Sequence, residues 1–257
     1  MSTAHFTRFR QAMTRAADTS SAADRPLPAD LLLGRDGALS VYYAPFDDVN
    51  LQAKVVLLGI TPGQTQAANA LAVARDALVQ GHSDAHALRL AKRAAGFSGT
   101  MRHSLVEMLD EVGLQRHLGL ASAGELFHGK ADWLQTASCL VFPTFIDGKN
   151  YNGTPDMTRQ PLLTGFLTSH LVPLIKSLSG AVIIPLGPKP NRALEWVERT
   201  HGISPARVLR GLPHPSGANA ERIAYFLGRK LRGQLSNKTD PDKLDAAKRS
   251  IVESLRA

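Results

Sequence analysis

Four apolar-rich runs stand out along the chain: residues 55–58 (VVLL), 134–145 (LQTASCLVFPTF), 181–186 (AVIIPL) and 207–212 (RVLRGL). They are short, carry β-branched residues and lack the strict alternation of a half-buried strand. They therefore read as strands covered on both faces. Apolar residues at helical spacing fill most of the chain between and after them, over residues 67–80, 86–95, 101–112, 162–178, 192–199 and 220–235. The 162–178 helix should be interrupted near Pro173, which lacks the N–H a helix interior needs. Residues 2–23 form a peripheral helix, 39–46 a β-rich stretch ended by Pro45, and 243–256 a final charged helix. Strands alternating with helices predict an α/β fold, a three-layer α/β/α arrangement around a central four-stranded parallel sheet. The chain divides accordingly into a helical and β-rich lead-in (1–50), an α/β domain (51–235) and a C-terminal charged helix (236–257).

The polar interruptions fall at the ends of the strands. Residues 54–66 (KVVLLGITPGQTQ) run from a buried strand through Gly59, Pro62 and Gly63 into an alanine-rich helix. Strand, Gly/Pro turn, helix is how an open α/β sheet builds a ligand crevice beyond the carboxyl end of a strand. A second loop of the same character, 212–222 (LPHPSGANAER), follows the last strand. These two loops are expected to meet and form one site.

Charge changes the picture further. The 257 residues carry a net charge of +8, and from Lys189 onwards 14 Lys and Arg stand against 7 Asp and Glu. Such a bias favours a polyanionic partner, nucleic acid before anionic membrane; the alternative is a basic surface kept for solubility. The single Cys139 excludes an internal disulfide, a four-cysteine zinc site and a cysteine-ligated iron–sulfur cluster. No run approaches the roughly 20 apolar residues of a membrane span, and no apolar signal core opens the chain, so a reducing cytoplasm is expected.

Among the loop residues, His214 carries the most chemical information. It stands in a Pro-flanked turn with nothing apolar beside it in sequence. A neutral imidazole there could donate a hydrogen bond to an anion formed during a reaction, or serve as a structural histidine bonding a loop carbonyl. Phe97, in GFSGT, could stack on a planar ligand or anchor a core. Asp156 is an acid in a candidate loop or a turn residue after Pro155. His82 and His86 have the i,i+4 spacing of metal ligands but no third ligand at convincing spacing, so they read as solvated histidines. GITPGQ is neither a dinucleotide-binding nor a phosphate-binding glycine loop, and no nucleophile elbow is present.

These pieces, in this order, resemble the uracil-DNA glycosylase superfamily. Gly59-Ile60-Thr61-Pro62-Gly63 is similar to that family's first motif, G-x-[D/N/A]-P-[G/Y]; His214-Pro215-Ser216, with the polar loop to Ala220, is similar to its last. Gly96-Phe97-Ser98 resembles the segment that supplies a stacking aromatic. The resemblance implies a glycosylase fold over about residues 54–231 and hydrolysis of the N-glycosidic bond of uracil or a related damaged base in DNA, by base flipping, without metal or cofactor. It implies that His214 stabilises the departing base at a carbonyl oxygen, that Phe97 stacks on it, and that Ile60, Pro62 and Gly63, helped by Gln64 or Gln66, contact its edge. Pro215, Ser216, Gly217, Ala218 and Asn219 would press into the DNA groove, with Arg222 also assigned to DNA. The partner would be single- or double-stranded DNA, bound by a monomer, with no membrane involved. Two positions depart from the family pattern. Thr61 stands where the family carries Asp, Asn or Ala. The asparagine that reads the base has no counterpart in 141–144, leaving Asn150 and Asn152 as candidates. A catalytically weak or inactive relative that binds nucleic acid or a modified base is the alternative.

Overall fold

A computed structural model describes residues 4–15, 27–96 and 99–256. In chain order its helices are α1 (Ala4–Arg15), α2 (Gln64–Val79), α3 (Asp84–Ala94), α4 (Gly99–Glu111), α5 (Leu114–Leu118), α6 (Pro161–Phe166), α7 (Val172–Ser177), α8 (Pro188–His201), α9 (Ala220–Phe226) and α10 (Pro241–Arg256). Its strands are β1 (Leu32–Asp36), β2 (Leu39–Tyr42), β3 (Val55–Gly59), β4 (Leu134–Ser138), β5 (Thr144–Ile146), β6 (Lys149–Asn150), β7 (Val182–Pro185) and β8 (Arg207–Val208). The chain forms two compact units, each from three separate segments. One comprises Met1–Val49, Ile60–Gly96 and Ala137–Leu174; the other comprises Asn50–Gly59, Phe97–Thr136 and Ile175–Ala257.

The second unit holds the sheet that the apolar runs predict. Its order is β4-β3-β7-β8, with β3 parallel to β7 (Val55↔Val182 to Leu58↔Pro185) and β7 parallel to β8 (Val182↔Arg207, Ile183↔Val208). Every residue of β3 and β7 is buried, which is why those runs are continuous rather than alternating. Val55, Leu57, Val182 and Ile184 belong to one core with Leu105, Met108 and Leu109 of α4, Ile223 and Phe226 of α9, and Ile251 and Leu255 of α10. The C-terminal helix thus helps to close the core over the sheet. Because β3, β7 and β8 run the same way, their carboxyl ends lie at one edge. From that edge the chain leaves through Gly59, through Gly187 into α8, and through residues 209–213 to His214.

Three boundaries differ from the sequence reading, each for a local reason. The 134–145 run is two strands: β4 stops at Ser138, and β5 joins a different sheet. Pro143 between them cannot donate to a central ladder, though its carbonyl accepts from Tyr42 N. The last parallel strand is short, extended only by Leu209 N donating to Ile183 O, before Gly211 turns the chain at φ +95°. The 220–235 helix ends at Phe226, because Gly228 adopts the left-handed conformation (φ +71°) that terminates helices. Gly211 has a second constraint: a Cβ built there lies 2.5 Å from the Ala247 Cβ of α10. Gly211→Ala is therefore expected to cost more than about 1 kcal/mol in denaturant unfolding, from φ strain and the clash together.

The first unit carries an antiparallel sheet, order β1-β2-β5-β6, that the apolar runs do not announce. Its β5–β6 hairpin turns on Asp147 (φ +49°) and Gly148 (φ +73°), the Asp-Gly pair that a two-residue turn with both central φ positive prefers. The α1 helix is not peripheral. Phe6, Phe9 and Met13 are buried, α1 packs against α2 and α3, and the Phe9 ring stacks on Tyr43 at 4.8 Å. The α6–α7 helix widens into a π turn at Leu167–Leu171, just before Pro173. Proline lacks the N–H that would bond the Ser169 carbonyl, and the distortion is displaced into the preceding turn.

Candidate active site

The candidate residues fall into two groups, one in each unit. In the first unit, the chain beyond β3 is fixed by side chains the motif itself supplies. Thr61 Oγ1 donates to Phe142 O (2.9 Å) and accepts from Thr144 N (3.1 Å), so its proton is committed to a backbone carbonyl. Gln66 bridges the turn: its Oε1 accepts from Gly63 N (3.0 Å) and its Nε2 donates to Ala95 O (3.1 Å) at the end of α3. Asn150, on β6, accepts the Gln64 N–H through Oδ1 at 2.8 Å and so caps the first turn of α2. Its amide also lies 3.6 Å from where a Gly63 Cβ would be. Asn152 closes its own turn by accepting from Thr154 N (3.1 Å). Ile60, Thr61, Pro62, Gly63, Gln64, Gln66 and Asn150 are thereby brought together. Pro62 is buried, and the backbone of Ile60 is tied to Leu140 N (3.0 Å).

In the second unit, the 213–222 loop sets the chemistry of His214. The Ser216 N–H points at His214 Nδ1 (3.3 Å). An N–H can only donate, so Nδ1 is the lone-pair nitrogen and the ring proton sits on Nε2. Burial lowers the pKa of His214 below its ordinary value, favouring the neutral ring. His214 also lies against the β7–α8 turn: a Cβ on Gly187 would be 3.8 Å from the His214 Cβ. The loop beyond it is cross-tied, Asn219 N to Ser216 O at 2.8 Å and Asn219 Nδ2 to Ser216 Oγ at 3.2 Å. Pro215 is buried, while Gly217 and Ala218 are exposed at the tip. Arg222, assigned to DNA by the resemblance, is half-buried and makes two hydrogen bonds within the protein: Nη1 donates to Asn219 Oδ1 (2.7 Å) and Nη2 to Lys238 O (2.8 Å).

The lowered pKa has a measurable sign. An imidazole NMR titration of His214 is expected to give a midpoint below the ordinary value of about 6.5. The stabilisation linked to this group is present above that unfolded value and is lost as the pH falls through the lower folded one.

The remaining sequence candidates are placed as follows. Phe97 lies outside the described residues. Asp156 Oδ1 accepts from Thr158 N (3.0 Å) and Thr158 Oγ1 (2.9 Å), the geometry of a turn residue. The His82 and His86 rings lie 4.7 Å apart, and no group of three or more His, Cys, Asp or Glu gathers among the described residues. Cys139 is buried, and burial pushes its thiol pKa up. The sequence reading missed a titratable cluster in the first unit. There Tyr43 Oη donates to Asp47 Oδ1 (3.4 Å), Lys92 Nζ donates to Asp48 O, and burial raises the Asp47 carboxyl while pushing the Lys92 amine down to about 8. The Asp-Asp pair after Pro45 was its signal in the sequence.

An α/β protein built on a four-stranded parallel sheet, with an imidazole presented just beyond a strand end, is the class these features define. The chain is 38% identical over 197 residues, 76% of its own length and 77% of the other's, to a Bacillus subtilis (strain 168) protein with the name "Uncharacterized protein YoxB". It belongs to the same family as YoxB. No protein-family model matches the chain, and no solved structure matches it significantly.

Proposed function

We propose that the protein is a DNA glycosylase of the uracil-DNA glycosylase type, hydrolysing the N-glycosidic bond of uracil or a related damaged base flipped out of DNA. The observation that carries the reading is the Ser216 N–H bonded to His214 Nδ1, which leaves a neutral imidazole with Nε2–H as its free donor. As the bond from C1′ to the base breaks, its electron pair stays on the base and the sugar becomes oxocarbenium-like. A fixed N–H directed at the base carbonyl stabilises that charge without an ion having to be desolvated first. Water then adds to C1′, and its proton ends on the base. Under this reading the fold is three-layer α/β/α, the protein is a cytoplasmic monomer, and its net charge of +8 holds DNA phosphates, so affinity falls as salt rises.

A second reading, binding of nucleic acid or a modified base without cleavage, is favoured by Thr61. A hydroxyl that donates to Phe142 O and accepts from Thr144 N is no base, and its remaining lone pair can at most hold a water. Incubation with single- and double-stranded uracil-containing DNA, then heating in alkali, separates the readings. Strand scission supports excision. Salt-sensitive binding with no scission across uracil, xanthine and hypoxanthine substrates supports the second reading. Absence of both discards the two together.

A further inference from the structure

Both arms of the Arg222 guanidinium are committed to neutral acceptors within the protein. Nη1 holds Asn219 Oδ1 at 2.7 Å, and Asn219 in turn holds Ser216 through Nδ2 to Oγ (3.2 Å) and N to O (2.8 Å). Ser216 supplies the N–H that His214 Nδ1 accepts. Nη2 holds the Lys238 carbonyl at 2.8 Å, and the segment around Lys238 is itself pinned. Glu221 accepts from Ser236 Oγ (2.7 Å), Ser236 N (3.2 Å), Thr239 Oγ1 (2.5 Å) and Lys230 Nζ (2.7 Å). The Lys230 ammonium first, then Thr239 and Ser236, hold the Glu221 carboxyl far below the usual carboxylate range, so this anchor stays charged through neutral pH. Two adjacent residues of the first turn of α9, Glu221 and Arg222, thus tie residues 236–239 on one side and the His214 loop on the other. Two of the five N–H groups of the Arg222 guanidinium are thereby held within the protein.

We propose that Arg222 is a positioning residue: with the Lys238 carbonyl as its fixed point, it holds the His214 loop, and through Asn219 and Ser216 sets which nitrogen of His214 carries the proton. Residues 236–240 are then part of the working site rather than a linker to α10. The effect on rate rests on the glycosylase reading; the effect on the ring does not.

The test compares wild type with Arg222→Ala, using imidazole nitrogen NMR at pH 7.5 and excision from a uracil-containing duplex. The wild-type His214 ring is expected to show one lone-pair nitrogen, Nδ1, and one protonated nitrogen, Nε2. In Arg222→Ala the two resonances move toward each other as the tautomers mix, kcat falls about tenfold or more, and KM stays within about twofold. The slope of log affinity against log salt stays unchanged. Unchanged resonances, together with a salt slope reduced by about one, would mark Arg222 as a phosphate contact and overturn the proposal. Circular dichroism checks that the variant folds. Asn219→Ala cuts the same link without touching the Lys238 contact, and it must shift the ring resonances in the same direction. A wild type that cleaves nothing ends the glycosylase reading, while the nitrogen spectra still decide the role of Arg222.

Discussion

Under the proposed glycosylase activity, replacing His214 by alanine is expected to lower uracil excision by about 10²–10³-fold, the loss typical of removing one preorganised donor to a developing anion. The loss should fall on kcat, because the charge it stabilises exists only as the glycosidic bond breaks. DNA affinity and its salt slope should change little, since His214 carries no fixed charge at neutral pH and burial lowers its pKa further. His214→Gln tests the geometry of the donor. Its amide can reach toward the same oxygen but cannot accept from the Ser216 N–H at the same place, so it should recover only a small part of the rate. Single-turnover excision of a uracil-containing duplex measures both variants. A His214→Ala enzyme as fast as wild type would leave the glycosylase reading without its central group.

The largest effect expected on stability comes from the N-terminal helix. Phe6 is fully buried, and α1 packs against α2 and α3, so Phe6→Ala removes a core ring and leaves a cavity that its neighbours fill only in part. The expected cost is about 3–5 kcal/mol. A peripheral helix, the sequence reading, would lose almost nothing on the same change. Val79→Ala, at the 77% exposed end of α2, is the control and should stay within about 0.5 kcal/mol. Urea unfolding followed by tryptophan fluorescence and by circular dichroism measures both. The two probes are needed because Trp133 and Trp196 both lie in the second unit, while Phe6 lies in the first.

The sequence by itself determined the parallel sheet and the character of its loops. Runs such as VVLL and AVIIPL are continuous because both faces of β3 and β7 are covered, and burial on both faces removes the alternation an exposed face would impose. Gly63 before α2 and the Pro-flanked His214 after β8 were legible because glycine and proline act on the backbone locally. Phe6, Phe9 and Met13 showed their helical spacing but not what they would meet, since Tyr43 and α2 reach them only through the tertiary fold. The split of 134–145 at Pro143 was decided by which strands were available to pair. Thr61 stands out in the sequence only as a departure from the family motif; the fold brings up the Phe142 carbonyl and the Thr144 amide, 81 and 83 positions away, and commits its hydroxyl. Arg222 is assigned to DNA by the resemblance, and no sequence pattern announces the Lys238 carbonyl, 16 positions away, that the fold sets against its guanidinium. Local backbone preference travels with the residues, whereas the partners of a polar side chain are chosen only when distant segments meet.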